Sequence, residues 1–208
     1  MPIKALMVDI DGVIVVHPDP KGWSVNLERD LGLSPERLQE TFFRPHFGDI
    51  LVGRSGLHET LAPVLHEIAP HLSVERLVNY WFQADANFNH DLLDQLAAVR
   101  ERGIALHVVT NQEHARANFL WRTLELRQRF DALHYAADLG CAKPSSKFFE
   151  QVIARSGFAP AETFLIDDRI ENVEAAQNCG WQAALWTGRQ RVCDLVKPDR
   201  CGSAARNT

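Results

Sequence analysis

Cysteine is scarce in this chain, and tyrosine and methionine scarcer still, with four, two and two among 208 residues. Cys141, Cys179, Cys193 and Cys201 contain no pair at CxxC spacing, which excludes a zinc ribbon or a dithiol redox motif. Nor do His17, His46, His58, His66 and His71 form HExxH or a comparable ligand pattern, so surface or internally satisfied histidines are expected. No apolar run approaches the roughly 18 residues of a membrane span. Basic residues are in deficit, 22 against 27 acidic ones, and the net charge of −5 disfavours a nucleic-acid or other polyanionic partner. The apolar opening, residues 1–16, is interrupted by Asp9 and Asp11 and followed by no small-residue cleavage site. It reads as a buried strand rather than a signal peptide, so reduced thiols and a cytoplasmic location are expected.

What the chain does have is a succession of short apolar runs that stop abruptly at polar residues. Residues 3–8 precede Asp9, 104–109 precede Thr110, 163–166 precede Asp167, and 182–186 precede Thr187. Four to six apolar residues without alternation suit strands buried on both faces of a parallel sheet. A weaker candidate covers residues 132–136. Helical patterns alternate with these runs. Asn89 can cap a helix carrying Leu92, Leu93, Leu96 and Val99 and stopped by Gly103; Ser145 or Ser146 can cap another, carrying Phe148, Phe149, Val152 and Ile153 and stopped by Gly157. Strand followed by helix, repeated, predicts an α/β fold with a doubly wound parallel sheet.

One stretch breaks the alternation. From residue 17 to about 88 only helix signals appear, over 27–31, 35–43, 55–68 and 73–88. By pattern alone this block is either a separate helical cap or a set of extra helices packed on the sheet. The tail, residues 197–208, is polar and rich in small residues, and is expected to be flexible.

In an open parallel sheet, ligands bind beyond the carboxyl ends of the strands. That rule gathers Asp9, Asp11, Thr110, Asn111, Asp167 and Asp168 into one crevice. Four carboxylates so placed repel one another, each close pair by about 4 kcal/mol at 4 Å and an effective dielectric near 20. The crevice therefore needs a cation or protonated acids, and an all-oxygen donor set with no His or Cys suits Mg²⁺, above all when a phosphate completes its shell. Lys143, in Cys-Ala-Lys-Pro, offers an ammonium to a phosphate or to Asp9. Taken singly, each of these residues has an ordinary explanation: an Asp-Gly turn, a helix cap, a solvated lysine. Their joint placement is what points to chemistry.

In that order the residues resemble the motifs of the haloacid dehalogenase-like (HAD) hydrolase superfamily: Asp9-Ile-Asp11-Gly-Val, Thr110-Asn111, Lys143-Pro144, and Asp167-Asp168 followed by Asn172. The resemblance covers nearly the whole chain. It implies a Rossmann-like core over 1–16 and 90–196, with residues 17–89 as a helical cap of the family's first type. Residues 109–187 look most like small bacterial sugar-phosphate phosphatases of the glucose 1-phosphate type. The implied reaction is Mg²⁺-dependent hydrolysis of a small phosphorylated metabolite by a monomer or weak homodimer. In it Asp9 is the nucleophile, Asp11 the general acid/base, and Lys143 stabilises charge on the transferring group. Magnesium would be held by Asp9, the Asp11 backbone carbonyl and Asp168, with Asp167 as ligand or close support. Thr110 and backbone groups near Asn111 would grip the phosphate, Gly12 would make the tight turn, and Asn172 would orient Asp168.

The resemblance leaves rivals. A haloacid dehalogenase also uses an Asp nucleophile but needs no metal, and its relatives lack the second acid supplied here by Asp11. A phosphomutase shares every motif, and a non-catalytic binding module could keep the fold. Specificity is expected from the cap and the loop after Asp11, with His17, Trp23, Arg44, His46, Phe47 and above all Arg54 as candidates. Hinges are expected at residues 17–21 and 88–91.

Overall fold

A computed structural model of the chain describes residues 2–17, 19 and 22–196; the tail lies outside them, as do Pro18, Pro20 and Lys21 of the first expected hinge. Five parallel strands form one sheet: β1 (Ala5–Val8), β2 (Ala105–Thr110), β3 (Ala132–Tyr135), β4 (Thr163–Asp167) and β5 (Gln182–Leu185), in the order β3-β2-β1-β4-β5. Every residue of β1 and β4 is buried, as uninterrupted apolar runs require. The chain passes β1, β2 and β3 to one side and then returns to place β4 beside β1. The reversal falls between β1 and β4, so their carboxyl ends, at Asp9 and Asp167, flank the switch point where a crevice opens.

Side chains alternate between two covered faces. Leu6, Val8, Leu106, Val108 and Ile166 pack with Leu92, Leu93, Leu96 and Val99 of helix α6 and with Trp186 and Val192. Ala5, Met7, Val109 and Leu165 pack on the other side with Phe148, Phe149, Val152, Ala176 and Trp181. Phe148, Phe149 and Val152 come from α9 (Ser146–Ser156) and Ala176 from α10 (Ile170–Asn178), with Trp181 just after it, while α6 spans His90–Glu101. Asn89 caps α6 by accepting the Leu92 N–H at 3.1 Å, and Gly157 ends α9 in the left-handed conformation. β3, with the sequence Ala-Leu-His-Tyr, is half-buried and carries two polar-tipped rings in four residues, so no apolar run marks it.

The block before α6 is wholly helical and owns a third apolar cluster, including Leu27, Leu38, Phe42, Ile50, Leu61, Leu77 and Trp81. Its helices are α1 (Leu27–Leu31), α2 (Pro35–Leu38), α3 (Arg44–Leu51), α4 (Leu57–Ile68) and α5 (Val74–Ala84). The helix expected over 35–43 runs on to Leu51. A π turn at Gln39–Phe43 ends where Pro45 withholds its N–H, so the chain widens locally instead of breaking. The helix expected over 73–88 ends at Ala84. Phe88 instead bridges Val15, the Val16 N–H donates to the Asn87 carbonyl (2.9 Å), and the Asn89 N–H donates to the Ile14 carbonyl (2.8 Å). The segments entering and leaving the block are thus paired side by side, and residues 88–91 belong to this bridge and the first turn of α6.

Two buried histidines sit on adjacent strands of the sheet. His107 Nδ1 lies 3.1 Å from His134 Nε2, and His107 also meets the Phe158 ring. Burial first, then His107 and Arg155, push His134 down from 6.5 to about 4, against the opposing pull of Asp138. Burial also lowers His107, with Asp131 opposing. The unfolded chain takes up this proton near pH 6.5 and the folded one only near 4, so stability is lost as pH falls through that window. Replacing His134 by Leu is expected to shrink the drop in urea-unfolding free energy between pH 7 and pH 4.5 by about 1–3 kcal/mol. Identical pH dependence in both proteins would exclude the linkage. The comparison of variants is the readout because Asp9 and Asp11, discussed below, act in the opposite direction.

Candidate active site

β1 delivers Asp9 to the switch point, where the side chain is almost wholly buried. Its Oδ1 accepts the Ile10 N–H at 2.8 Å and lies 2.9 Å from Lys143 Nζ, leaving Oδ2 without a protein donor among the described residues. Burial drives the Asp9 carboxyl up from 3.8 to about 7; Lys143 opposes this, while Asp167 and Asp11 add to it.

Lys143 spends all three ammonium protons inside the protein. Nζ donates to the Val109 carbonyl (2.9 Å) and to Asp167 Oδ2 (2.6 Å) and pairs with Asp9. Burial alone would strip its proton, but Asp9 and Asp167 outweigh that and hold the ammonium above its ordinary range. The Asn111 amide fixes the loop that carries it: Nδ2 donates to the Lys143 carbonyl (3.0 Å) and Oδ1 accepts the Lys143 N–H (2.8 Å). The Asn111 side chain is therefore committed to the lysine loop and not to a ligand.

Asp167 and Asp168 differ sharply. Asp167 has no exposed surface, and its Oδ1 accepts from Asn172 Nδ2 and the Arg169 N–H, both at 2.9 Å. Asn172 thus steadies Asp167 rather than Asp168 as its spacing suggested, because the buried carboxylate is the one turned toward the helix. Asp168 is exposed, and burial of its inner part, followed by Asp167, raises its carboxyl. One carboxylate oxygen each from Asp9, Asp167 and Asp168 lies within 4.8 Å of the others. Gly12, at φ +77°, is required here: a Cβ on it would sit 2.1 Å from Asp168 Oδ2.

Thr110 ends β2 fully buried, and its Oγ1 is one of two buried side-chain polar atoms without a hydrogen-bond partner among the described residues. An unpaired buried hydroxyl costs roughly 1–3 kcal/mol and is ready for an incoming acceptor. Asp11 faces the crevice, and Gln112 Nε2 donates to its Oδ2 at 2.6 Å. Surrounding protein raises Asp11 to about 6, burial first; Arg116 opposes, Asp85 adds, and Gln112 opposes. Because the residue is itself open to the crevice, water moderates that rise.

The other candidates lie elsewhere. Arg54 is exposed and paired with Asp49, Nη2 to Oδ1 at 2.5 Å, and its guanidinium is bonded there rather than to the carboxylate cluster. Trp23 stacks on Trp81, and Phe47 meets Phe43 and Trp81, so both serve the aromatic interior of the helical block. His46 meets Phe42, and His17 turns onto the backbone of Asp19. Two residues that sequence reasoning passed over matter more. Gln112 holds Asp11. Arg116, fully buried on α7 (His114–Asn118), reaches across to the end of α5, donating to the Phe82 carbonyl (3.1 Å), the Asp85 carbonyl (2.5 Å) and Asp85 Oδ2 (3.1 Å), and lies over the Phe82 ring. Glu113 begins that helix by accepting the N–H groups of Ala115 and Arg116.

The donor set fits a hard divalent cation. Three carboxylates, Asp9, Asp167 and Asp168, converge with Asp11 nearby around a single ammonium, and all the donors are oxygen.

An acid-lined switch point on a doubly wound parallel sheet, joined to a helical block, defines a hydrolase class that comparison identifies. The family model for haloacid dehalogenase-like hydrolases matches residues 3–180, and the chain belongs to that family. A sesquiterpene phosphatase of Aspergillus oryzae is 32% identical over 98 residues, 47% of this chain and 50% of that protein. The chain thus spans about half the length of this curated relative. A HAD family enzyme from Bacteroides thetaiotaomicron, solved in complex with magnesium and inorganic phosphate, has a TM-score of 0.78 at 21% identity, covering 94% of this chain and all of that one. The L-2-haloacid dehalogenase of Xanthobacter autotrophicus has a TM-score of 0.60 at 21% identity, covering 88% and 77%. The fold is therefore common to enzymes of different chemistry. Among the described residues no helix is long and apolar enough to cross a membrane.

Proposed function

We propose that this hydrolase is a magnesium-dependent phosphatase of small phosphorylated metabolites, with residues 17–89 acting as its cap. The observation that carries the reading is the meeting of the Asp9, Asp167 and Asp168 carboxylates beside an unpartnered, buried Thr110 hydroxyl. A phosphate would suit both: one of its oxygens would accept from the Thr110 hydroxyl and its charge would meet the cation that the carboxylates would hold. The names of the Aspergillus relative and of the Bacteroides complex support the same chemistry.

Asp9 Oδ2 attacks phosphorus, forming an O–P bond as the ester O–P bond breaks. Asp11 gives its proton to the departing alcohol, then takes one from the water that cleaves the aspartyl-phosphate and restores Asp9. Lys143 keeps Asp9 ionised and oriented, and Thr110 donates to a phosphate oxygen. Asp167, whose oxygens are taken by Lys143, Asn172 and Arg169, braces the site. Asp9, Asp168 and the Asp11 carbonyl would hold magnesium, which would neutralise phosphate charge.

The test is phosphate release from para-nitrophenyl phosphate, followed by a panel led by sugar phosphates and extended to isoprenoid phosphates. Turnover is expected with Mg²⁺ and should fall about 100-fold or more on chelation, since a Lewis-acid cation contributes several kcal/mol. Halide release from 2-chloropropionate without metal, with no phosphate released from any ester, would replace this reading with a dehalogenase.

A further inference from the structure

The helix that follows β2 is preceded by three consecutive polar side chains with three separate destinations. Thr110 points an unpartnered hydroxyl into the crevice, Asn111 locks the Lys143 loop, and Gln112 turns to Asp11. Gln112 is only 6% exposed, and its carbonyl accepts the Ala137 N–H at 3.1 Å. Its backbone is thereby fixed from α8 (Ala136–Leu139), and its neighbour is fixed through Lys143. Among the described residues, Gln112 is the one side-chain hydrogen-bond donor to the Asp11 carboxyl. Arg116, the nearby cation, directs its bonds to Phe82 and Asp85 instead.

We infer that Gln112 is a positioning residue that holds the Asp11 carboxyl by Oδ2 and leaves Oδ1 to serve the leaving group. This rests on the acid/base role given to Asp11 above. The Gln112 N–H engages Oδ2 at 2.6 Å, and among the described residues no donor reaches Oδ1. Oδ1 is therefore the oxygen left free to exchange a proton. The same bond restrains the carboxyl from turning over. When the ester O–P bond breaks, the Oδ1–H bond breaks with it and its proton goes to the leaving oxygen. The vacated Oδ1 lone pair then takes the proton of the attacking water. An amide suits the task because it donates without adding charge to a crowded anionic crevice.

A positioning role of this kind acts on proton transfer to the leaving group, so its signature is leaving-group dependence. Phenyl phosphate and para-nitrophenyl phosphate have nearly the same shape, but the nitrophenolate departs with little protonation. With magnesium present, Gln112→Met is expected to reduce kcat/KM for phenyl phosphate at least tenfold more than for para-nitrophenyl phosphate, within the 10²–10⁴ range of acid–base catalysis. kcat/KM reports the step in which the alcohol leaves, so hydrolysis of the aspartyl-phosphate does not mask the difference. Gln112→Ala, which removes crowding as a cause, must show the same change in ratio, with thermal midpoints measured for both. Equal losses on the two esters, or no loss on either, would overturn the assignment, since a general packing defect affects both alike. Asp11→Asn measured alongside separates the two levels of the argument. If Asp11→Asn discriminates between the esters and the Gln112 variants do not, only the role of Gln112 falls. If the unaltered protein hydrolyses neither ester, both readings fall together.

Discussion

Asp9→Asn is expected to lower kcat for para-nitrophenyl phosphate by about 10⁴-fold or more, the scale on which removal of a covalent nucleophile is felt in other hydrolases. The amide keeps the shape of the carboxyl and an acceptor for the Ile10 N–H and for Lys143, yet has no charge with which to attack phosphorus. The fold should not suffer. Asp9 is one of the carboxylates crowded around Lys143, and burial raises it to about 7, above its ordinary 3.8. A folded-state pKa above the unfolded one means the ionised form is disfavoured by folding. Asp9 therefore weakens the metal-free protein above pH 7, and that penalty fades as pH falls toward 4. The thermal midpoint of Asp9→Asn without magnesium should equal or exceed that of the unaltered protein, more so at pH 8 than at pH 5. Undiminished turnover in a folded Asp9→Asn protein would remove Asp9 as nucleophile.

Arg116→Ala is expected to be the most destabilising of the substitutions discussed, by about 3–5 kcal/mol, because it orphans the partners of a buried cation. The Arg116 side chain is 2% exposed and that of Asp85 21%. Its loss leaves the Asp85 carboxylate and two carbonyls at the end of α5 without donors, and opens a cavity against Phe82. For a domain of this size the thermal midpoint should fall by about 6–20 °C. Arg116→Lys should recover little, since a single ammonium cannot serve both carbonyls and the ring as the planar fork does. Asp85→Asn should cost less than Arg116→Ala, because water reaches Asp85. A loss below about 1 kcal/mol in urea unfolding would show that the helical block does not depend on this contact.

The strand ends were readable because a parallel sheet buried on both faces must be written in apolar runs, and the polar residue that ends each run stands at the crevice. Asp9, Thr110 and Asp167 are all found that way. Capping chemistry likewise announced the helix after Asn89, whose side chain accepts the Leu92 N–H, whereas Ser145 begins its helix without a side-chain cap bond. β3 was faint because half of its four residues are His134 and Tyr135, which leave no apolar run to read. Other features depend on contacts that spacing cannot reveal. Asn172 stands one helical turn past Asp168, but hydrogen-bonds Asp167. Arg54 looked available until Asp49, five residues earlier, claimed its guanidinium. Gln112 is a lone amide after Asn111, and Asp11 lies 101 residues away in sequence. Arg116 reads as an ordinary surface charge on a short helix, since its partners at Phe82 and Asp85 come from a different layer of the protein.

The pairing of residues 14–16 with 87–89 has an evolutionary side. The helical block leaves the sheet and comes back at one doorway, held shut by the Val16–Asn87 and Asn89–Ile14 hydrogen bonds. Such a doorway accepts an insertion of almost any length or architecture without altering strand order, because the sheet sees the same two anchored ends. The block can therefore diverge in sequence, lengthen or be exchanged while the strands beneath it stay constant. The surroundings keep a record of the occupant: Arg116 of α7 and Phe119 just after it meet Phe82 across the boundary, and Leu51 of α3 packs on the sheet's second cluster. A lineage that swapped the block would have to rewrite such positions as well.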